Sequence, residues 1–148
     1  MTGVTLKSDN EQLSEAIYER LTSGGSALTF PLYYRRAPKG TKASDSGYIV
    51  YRLSWARRGR SALMRLASIS FDVFGYGDAT PAETELAKID ANLAMWRARD
   101  ASGGVSTFFE QELAEPVDDP DDVRLVHLTA VYNTEWASSI TAESGRES

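Results

Sequence analysis

Cysteine is absent from this chain of 148 residues, which excludes disulfides, thiolate metal sites and cysteine nucleophiles together. It fits folding in a reducing cytoplasm. Histidine occurs once, as His127, with no serine in a nucleophile motif to serve. A catalytic triad needs a positioned nucleophile and an orienting acid around its base, so His127 reads as a structural or surface residue. No apolar run of about 18 residues occurs, so no helix is expected to span a bilayer. The opening residues, Met1 to Lys7, lack the apolar core of a signal peptide. Dinucleotide and Walker fingerprints are missing, and no internal repeat is visible.

What is present is an ordinary globular composition, 42% hydrophobic with a mean hydropathy of -0.34, enough for one domain with its own core. The chain is organised around Ala67 to Trp96. Ile69, Phe71 and Val73 alternate with Ser68, Ser70 and Asp72, the period of a strand with one face in a core. Gly75 and Gly77 break it. Thr80 is placed as a helix cap with Glu83 completing a capping box and Pro81 at the first helical position. Leu86, Ile89, Leu93 and Trp96 then recur at helical spacing, predicting a helix over 81–99.

Before that unit, Asp9 and Gln12 read as a cap and its partner, opening a helix to about Thr22 with Leu13, Ala16, Ile17 and Leu21 buried. Glu11, Glu15 and Glu19 face water. Leu28 to Tyr34 contains Pro31, which confines it to a sheet edge or an extended segment. Residues 35–47 have loop composition, and Tyr48 to Leu53 reads as a strand. Trp55 to Arg60 reads as its hairpin link to the central strand, whose start is set as early as Ala62. After Gly103 and Gly104, Val105 to Leu113 is open between strand and short helix, because Phe108 and Phe109 together fit neither period. Val123 to Trp136 is a second clear strand, with Val126, Leu128, Ala130, Tyr132 and Trp136 on one face. Residues 138–148 are small and polar and are expected to be disordered. The expected fold is a single α+β domain over residues 1–137: a mostly antiparallel sheet of four to five strands with two helices packed on one face.

Charge is distributed unevenly. Residues 35–65 hold nine basic residues and one acid, Asp45, a net +8, leaving -13 for the rest of a chain whose total is -5. Such asymmetry speaks of partners rather than fold. The basic residues could touch nucleic-acid phosphates, meet the acidic surface of a second copy, or form a solvated surface. Trp55, beside Arg57, Arg58 and Arg60, has no periodic reason to be buried, and aromatic and arginine residues are enriched at interfaces. Asp118, Asp119, Asp121 and Asp122 form an acidic turn without the spacing of a calcium loop. Gly75-Tyr76-Gly77-Asp78 precedes a helix as a phosphate-binding turn would, but Asp78 would repel the ligand, and a turn needing glycine explains the pattern. No catalytic, cofactor-binding or metal-ligating residue is assigned.

The helix over 12–21, the motif Pro31-Leu-Tyr-Tyr-Arg-Arg-Ala-Pro-Lys-Gly, the strand Tyr48 to Leu53, the unit Ser68 to Trp96 and the late strand Arg124 to Trp136 with its polar tail resemble the tail terminator proteins of tailed bacteriophages. The resemblance implies a non-enzymatic virion protein, assembled in the host cytoplasm and residing at the tail–neck junction. It implies a homo-hexameric ring that caps the tail tube and offers a surface to the head-completion or neck protein, with DNA passing through unbound. No cofactor and no membrane are implied. Arg35, Arg36, Trp55, Arg57, Arg58 and Arg60 are the expected contacts with a neighbouring subunit or the tube, and Asp118, Asp119, Asp121 and Asp122 one possible complement. Another neck component, such as a head-closure or connector protein, is the nearest alternative; a nucleic-acid-binding module using residues 35–65 is a further one.

Overall fold

The computed structural model describes residues 7–56 and 64–137. The chain runs α1 (Asp9–Thr22), β1 (Leu32–Tyr34), β2 (Tyr48–Trp55), β3 (Arg65–Tyr76), α2 (Thr80–Leu93), β4 (Arg97–Arg99), β5 (Val105–Phe108), β6 (Glu110–Pro116) and β7 (Leu125–Ala137). The domain is α+β with two helices, as expected, but the sheet has seven strands rather than four or five. Their order is β1-β2-β3-β7-β5-β4, with β6 also paired to β7. The sheet is mixed: β1 runs parallel to β2, with Leu32 opposite Ile49 and Tyr34 opposite Tyr51. Residues 35–47 form more than a hairpin turn, and that length lets the chain return and lay β2 beside β1 in the same direction. β1 is the edge strand that Pro31 requires.

Strand β3 is the axis. It pairs antiparallel with β2, from Tyr48–Phe74 to Trp55–Ala67, and with β7 without a break from Arg65–Trp136 to Tyr76–Leu125. Alternation puts Ala67, Ile69, Phe71 and Val73 of β3 on the same face as Ile49 and Tyr51 of β2 and Leu128, Ala130, Tyr132 and Trp136 of β7, all buried. Both helices cover that face. Leu13, Ile17 and Leu21 of α1 are fully buried there, and the Tyr51 hydroxyl donates to the Ser14 carbonyl at 2.8 Å. Ala82 of α2 sits over Gly75. At Gly104 the backbone passes so close to the Trp136 ring and the Gln12 side chain that a Cβ would overlap both.

Local details correct the expected helix boundaries. Ser8, not Asp9, caps α1, its Oγ accepting from the Glu11 N–H at 3.1 Å. Asp9 instead faces Arg65 and Trp136. The Thr80 capping box does not form. Gly77 takes φ +78°, and Asp78 Oδ1 accepts the Thr80 N–H at 2.9 Å, so the helix starts with no side-chain bond from its N-cap, Ala79. That hydrogen bond holds the Asp78 carboxyl below its ordinary range. At the other end α2 stops at Leu93 instead of continuing to 99. Met95 adopts φ +56° and Arg97–Arg99 becomes a strand. Trp96 is therefore not on the helical stripe; it stacks on Phe109 at 5.4 Å, packed against the core. Phe108 is exposed and Phe109 buried, and the chain leaves one strand at Phe108 and enters the next at Glu110, so no single period runs through the pair. Residues 138–148, expected to be disordered, lie outside the described residues.

The buried phenols set an alkaline limit on stability. Burial pushes the Tyr51 and Tyr132 hydroxyls well above the ordinary tyrosine value of 10.0, with Asp90 beside Tyr132 adding to the effect. A raised folded-state value means the folded chain holds these protons more tightly than the unfolded one. Their contribution is complete below pH 10 and declines above it, by about 1.4 kcal/mol per pH unit for each phenol. Denaturant titrations from pH 8 to 12 should show a decline beginning near the unfolded tyrosine value, and Tyr51→Phe should make it shallower. An equal slope in Tyr51→Phe and the parent chain would remove Tyr51 from the account.

Candidate functional site: the charged surfaces

Chain topology separates the two charged regions. The connection between β2 and β3 carries Arg57, Arg58 and Arg60, which lie outside the described residues, and leaves the sheet where Trp55, Arg65 and Trp136 sit. The acidic turn, residues 117–124, lies at the other end, between Pro116, opposite Leu128, and Leu125, opposite Tyr76. The twelve residues of β3 separate these ends, roughly 36 Å at strand rise. Trp55 and Arg65, which flank that connection, therefore stand far from the acidic turn. Across the sheet, Arg35 and Arg52 lie along the β1–β2 edge, while the far side of β7 carries Glu110, Glu112 and Glu115 on β6 and, on the terminal strand β4, the exposed Arg97 and Arg99.

The basic edge is built from backbone geometry. Arg35 takes φ +70° just after β1, its N–H donating to the Tyr51 carbonyl at 2.8 Å. Its guanidinium lies 5.2 Å over the Tyr34 ring, and its carbonyl accepts from Arg52 Nε at 3.0 Å. Arg35, Arg36, Lys39, Lys42 and Arg52 are all exposed. None makes an ion pair within 4 Å among the described residues. Arg65 is different: it bonds Asp9 at 3.0 Å and lies 4.7 Å over the Trp55 ring. Trp55 is half-buried against the core, donating from Nε1 to Asn10 Oδ1 at 3.0 Å. Its packing thus has a tertiary cause that strand periodicity does not reveal.

Among the four aspartates, two close local turns: Asp119 accepts from the Asp121 N–H at 2.9 Å and Asp122 from the Arg124 N–H at 3.1 Å. Asp118 and Asp121 are exposed. No group of three or more histidine, aspartate or glutamate side chains converges as a cation site among the described residues. The Gly75–Asp78 turn offers its helix-start amide to Asp78 itself, so no anion cradle is open there.

Sequence reasoning missed two features. Val105 to Leu113, open between strand and helix in the sequence, holds β5 and the start of β6, an edge strand with all seven residues exposed, bearing three glutamates. Between β6 and α2 runs a groove of about 340 Å³, lined by apolar and acidic side chains. The signal was the spacing Glu110, Glu112, Glu115, too polar on both faces for a buried strand. On the sheet face away from the helices, His127 Nε2 lies 2.8 Å from Asp72 Oδ1. Its ring stacks on Phe74 at 4.3 Å, and Phe74 stacks on Tyr48 at 4.8 Å. Cross-strand pairing assembles this row.

No protein-family model and no curated protein matches the chain. Among solved structures, one chain 15% identical to this one aligns over 85% of this chain and 91% of its own, with a TM-score of 0.57. That likeness is one of fold.

Proposed function

We propose that this chain is a structural protein of a tailed-bacteriophage virion, a tail terminator whose copies form a ring on the end of the tail tube and present their other surface to the neck. The observation that carries the reading is the placement of exposed Arg35, Arg36 and Arg52 at the β1–β2 edge and of three glutamates on β6, on the other side of the same sheet. Like edges repel and unlike edges attract, so copies join head to tail, and a head-to-tail contact closes into a ring when its rotation permits. The action is geometric: subunits associate weakly until the tube end templates them, then the ring blocks further tube addition. The tail tube protein and the head-completion or neck protein are its partners beside its own copies. DNA crosses the lumen without specific contact.

Electron microscopy of particles assembled without the chain tests this. Over-long or ragged tails are the expected result, and six copies about one axis on complete particles the expected stoichiometry. Normal tails lying beside full heads would instead make it a head-closure or connector component. A second reading draws on the exposed basic residues of the β1–β2 edge, which have no acidic partner among the described residues: a nucleic-acid-binding module. It requires binding to random duplex that weakens steeply with salt.

A further inference from the structure

We infer that the β6 edge, with the groove beside α2, is the socket for the basic β1–β2 edge of a neighbouring copy. This deepens the ring reading and rests on its head-to-tail association. An exposed edge strand is a template for pairing with any chain, and proteins blunt such edges with charge, proline and bulges. β6 carries all three: Glu110, Glu112 and Glu115, a terminal Pro116, and a register shift between Gln111 and Leu113. The proline and the register shift hinder backbone pairing with any strand, so contact here falls to side chains. The glutamates disfavour β6 against β6, since six would face one another, but not a cationic edge.

The groove suits arginine in particular. Leu86, Ala114 and Leu128 give it an apolar lining, and Glu83, Asp90 and Glu115 give it carboxylates. Arginine lays its aliphatic stem on apolar surface while its guanidinium forks onto a carboxylate. Arg35, Arg36 and Arg52 are exposed and free of acidic partners among the described residues, on the edge of the sheet farthest from β6. Within one chain the two surfaces stay apart. Between copies they match in sign, and each repels its own kind.

Native cysteine is absent, so single introduced cysteines report contact without background. Glu112→Cys and Arg36→Cys chains, mixed under mild oxidation, should form the mixed disulfide dimer about tenfold faster than either forms its own dimer, the scale of electrostatic steering. Adding Glu110→Lys and Glu115→Lys to the first chain should bring the mixed rate down to that of an exposed Thr22→Cys control. Equal rates for all pairings would overturn the socket. The doubly substituted Glu112→Cys/Arg36→Cys chain tests the ring separately: a ladder ending in a closed species supports it. Unending filaments would retain the pairing and reject the ring. A ring on particles with no preferential 112–36 cross-link would retain the ring and reject the pairing.

Discussion

Glu85→Ala is expected to cost roughly 2–6 kcal/mol, about 1–3 for each of the two backbone amides that lose their acceptor. Glu85 projects from α2 with its side chain 2% exposed. Oε1 accepts the backbone N–H groups of Thr29, at 2.6 Å, and Phe30. Oε2 lies 3.1 Å from Lys88 Nζ, which also donates to the Thr29 hydroxyl at 2.9 Å. The geometry at Oε2 is that of an ion pair without a hydrogen bond. Together with Asn92, whose amide donates to the Ser26 carbonyl at 2.8 Å, Glu85 fastens the segment leading into β1 onto α2. Alanine leaves two amide donors without their acceptor and the Lys88 ammonium without a counter-charge, and a domain of this kind has only about 5–15 kcal/mol in total. Glu85→Gln keeps one carbonyl acceptor and should lose roughly 1–3 kcal/mol. Urea titrations should show lowered midpoints with unchanged slopes. A Glu85→Ala chain within 0.5 kcal/mol of the parent, roughly the scatter of surface changes, would show that the clamp carries little of the stability.

Glu85 also marks where sequence reading reaches its limit. Hydrophobic periodicity found α1, β3 and β7 with their buried faces, because each buries a full stripe of apolar side chains along an uninterrupted element. Proline's missing donor confined the segment around Pro31 to an edge strand or an extended segment, and β1 beside it is an edge strand. A glutamate on the core side of a helix, between Ala82 and Ile89, cannot be told from a solvent-facing one by period alone. Its burial depends on two backbone N–H groups more than fifty residues earlier in the chain. The end of α2 was misread for a related reason. Leu93 and Trp96 stand three residues apart, a helical interval, and no glycine or proline announces the stop. Met95, which turns the chain, is a residue type that seldom takes positive φ.

The charged surfaces were legible in part. Composition along the chain located the basic segment and the acidic turn, since charge asymmetry is visible without coordinates. Their opposition across the sheet required the strand order. The parallel β1–β2 pair brings Arg35 against Arg52, seventeen residues on, and pairing on β7 sends Glu110, Glu112 and Glu115 to the far side of that strand. Short strands hid this: β4 has three residues and β5 four, too few for a period to show.

Reversing Arg57, Arg58 and Arg60 to glutamate together is expected to abolish head–tail joining while the monomer stays folded. The substitution moves the segment 35–65 from +8 to +2 and leaves the sheet's own pairings intact, because the connection lies beyond the last β2–β3 pair, Trp55 with Ala67. Charges brought against a like-charged surface cost several kcal/mol, so association should weaken by roughly a hundredfold or more. Surface ion pairs lost within the monomer cost at most about 1 kcal/mol each. The readouts are the fraction of tails attached to heads in micrographs and the denaturation midpoint of the isolated chain. Lysine at the same three positions separates charge from shape. It keeps the sign but loses the planar fork that grips carboxylates in pairs, so partial joining should return. Normal joining in the glutamate variant would remove this connection from the interface. Loss of duplex binding with joining unaffected would move the basic segment to the nucleic-acid reading, since a phosphate contact and a subunit contact respond to the same reversal in different assays.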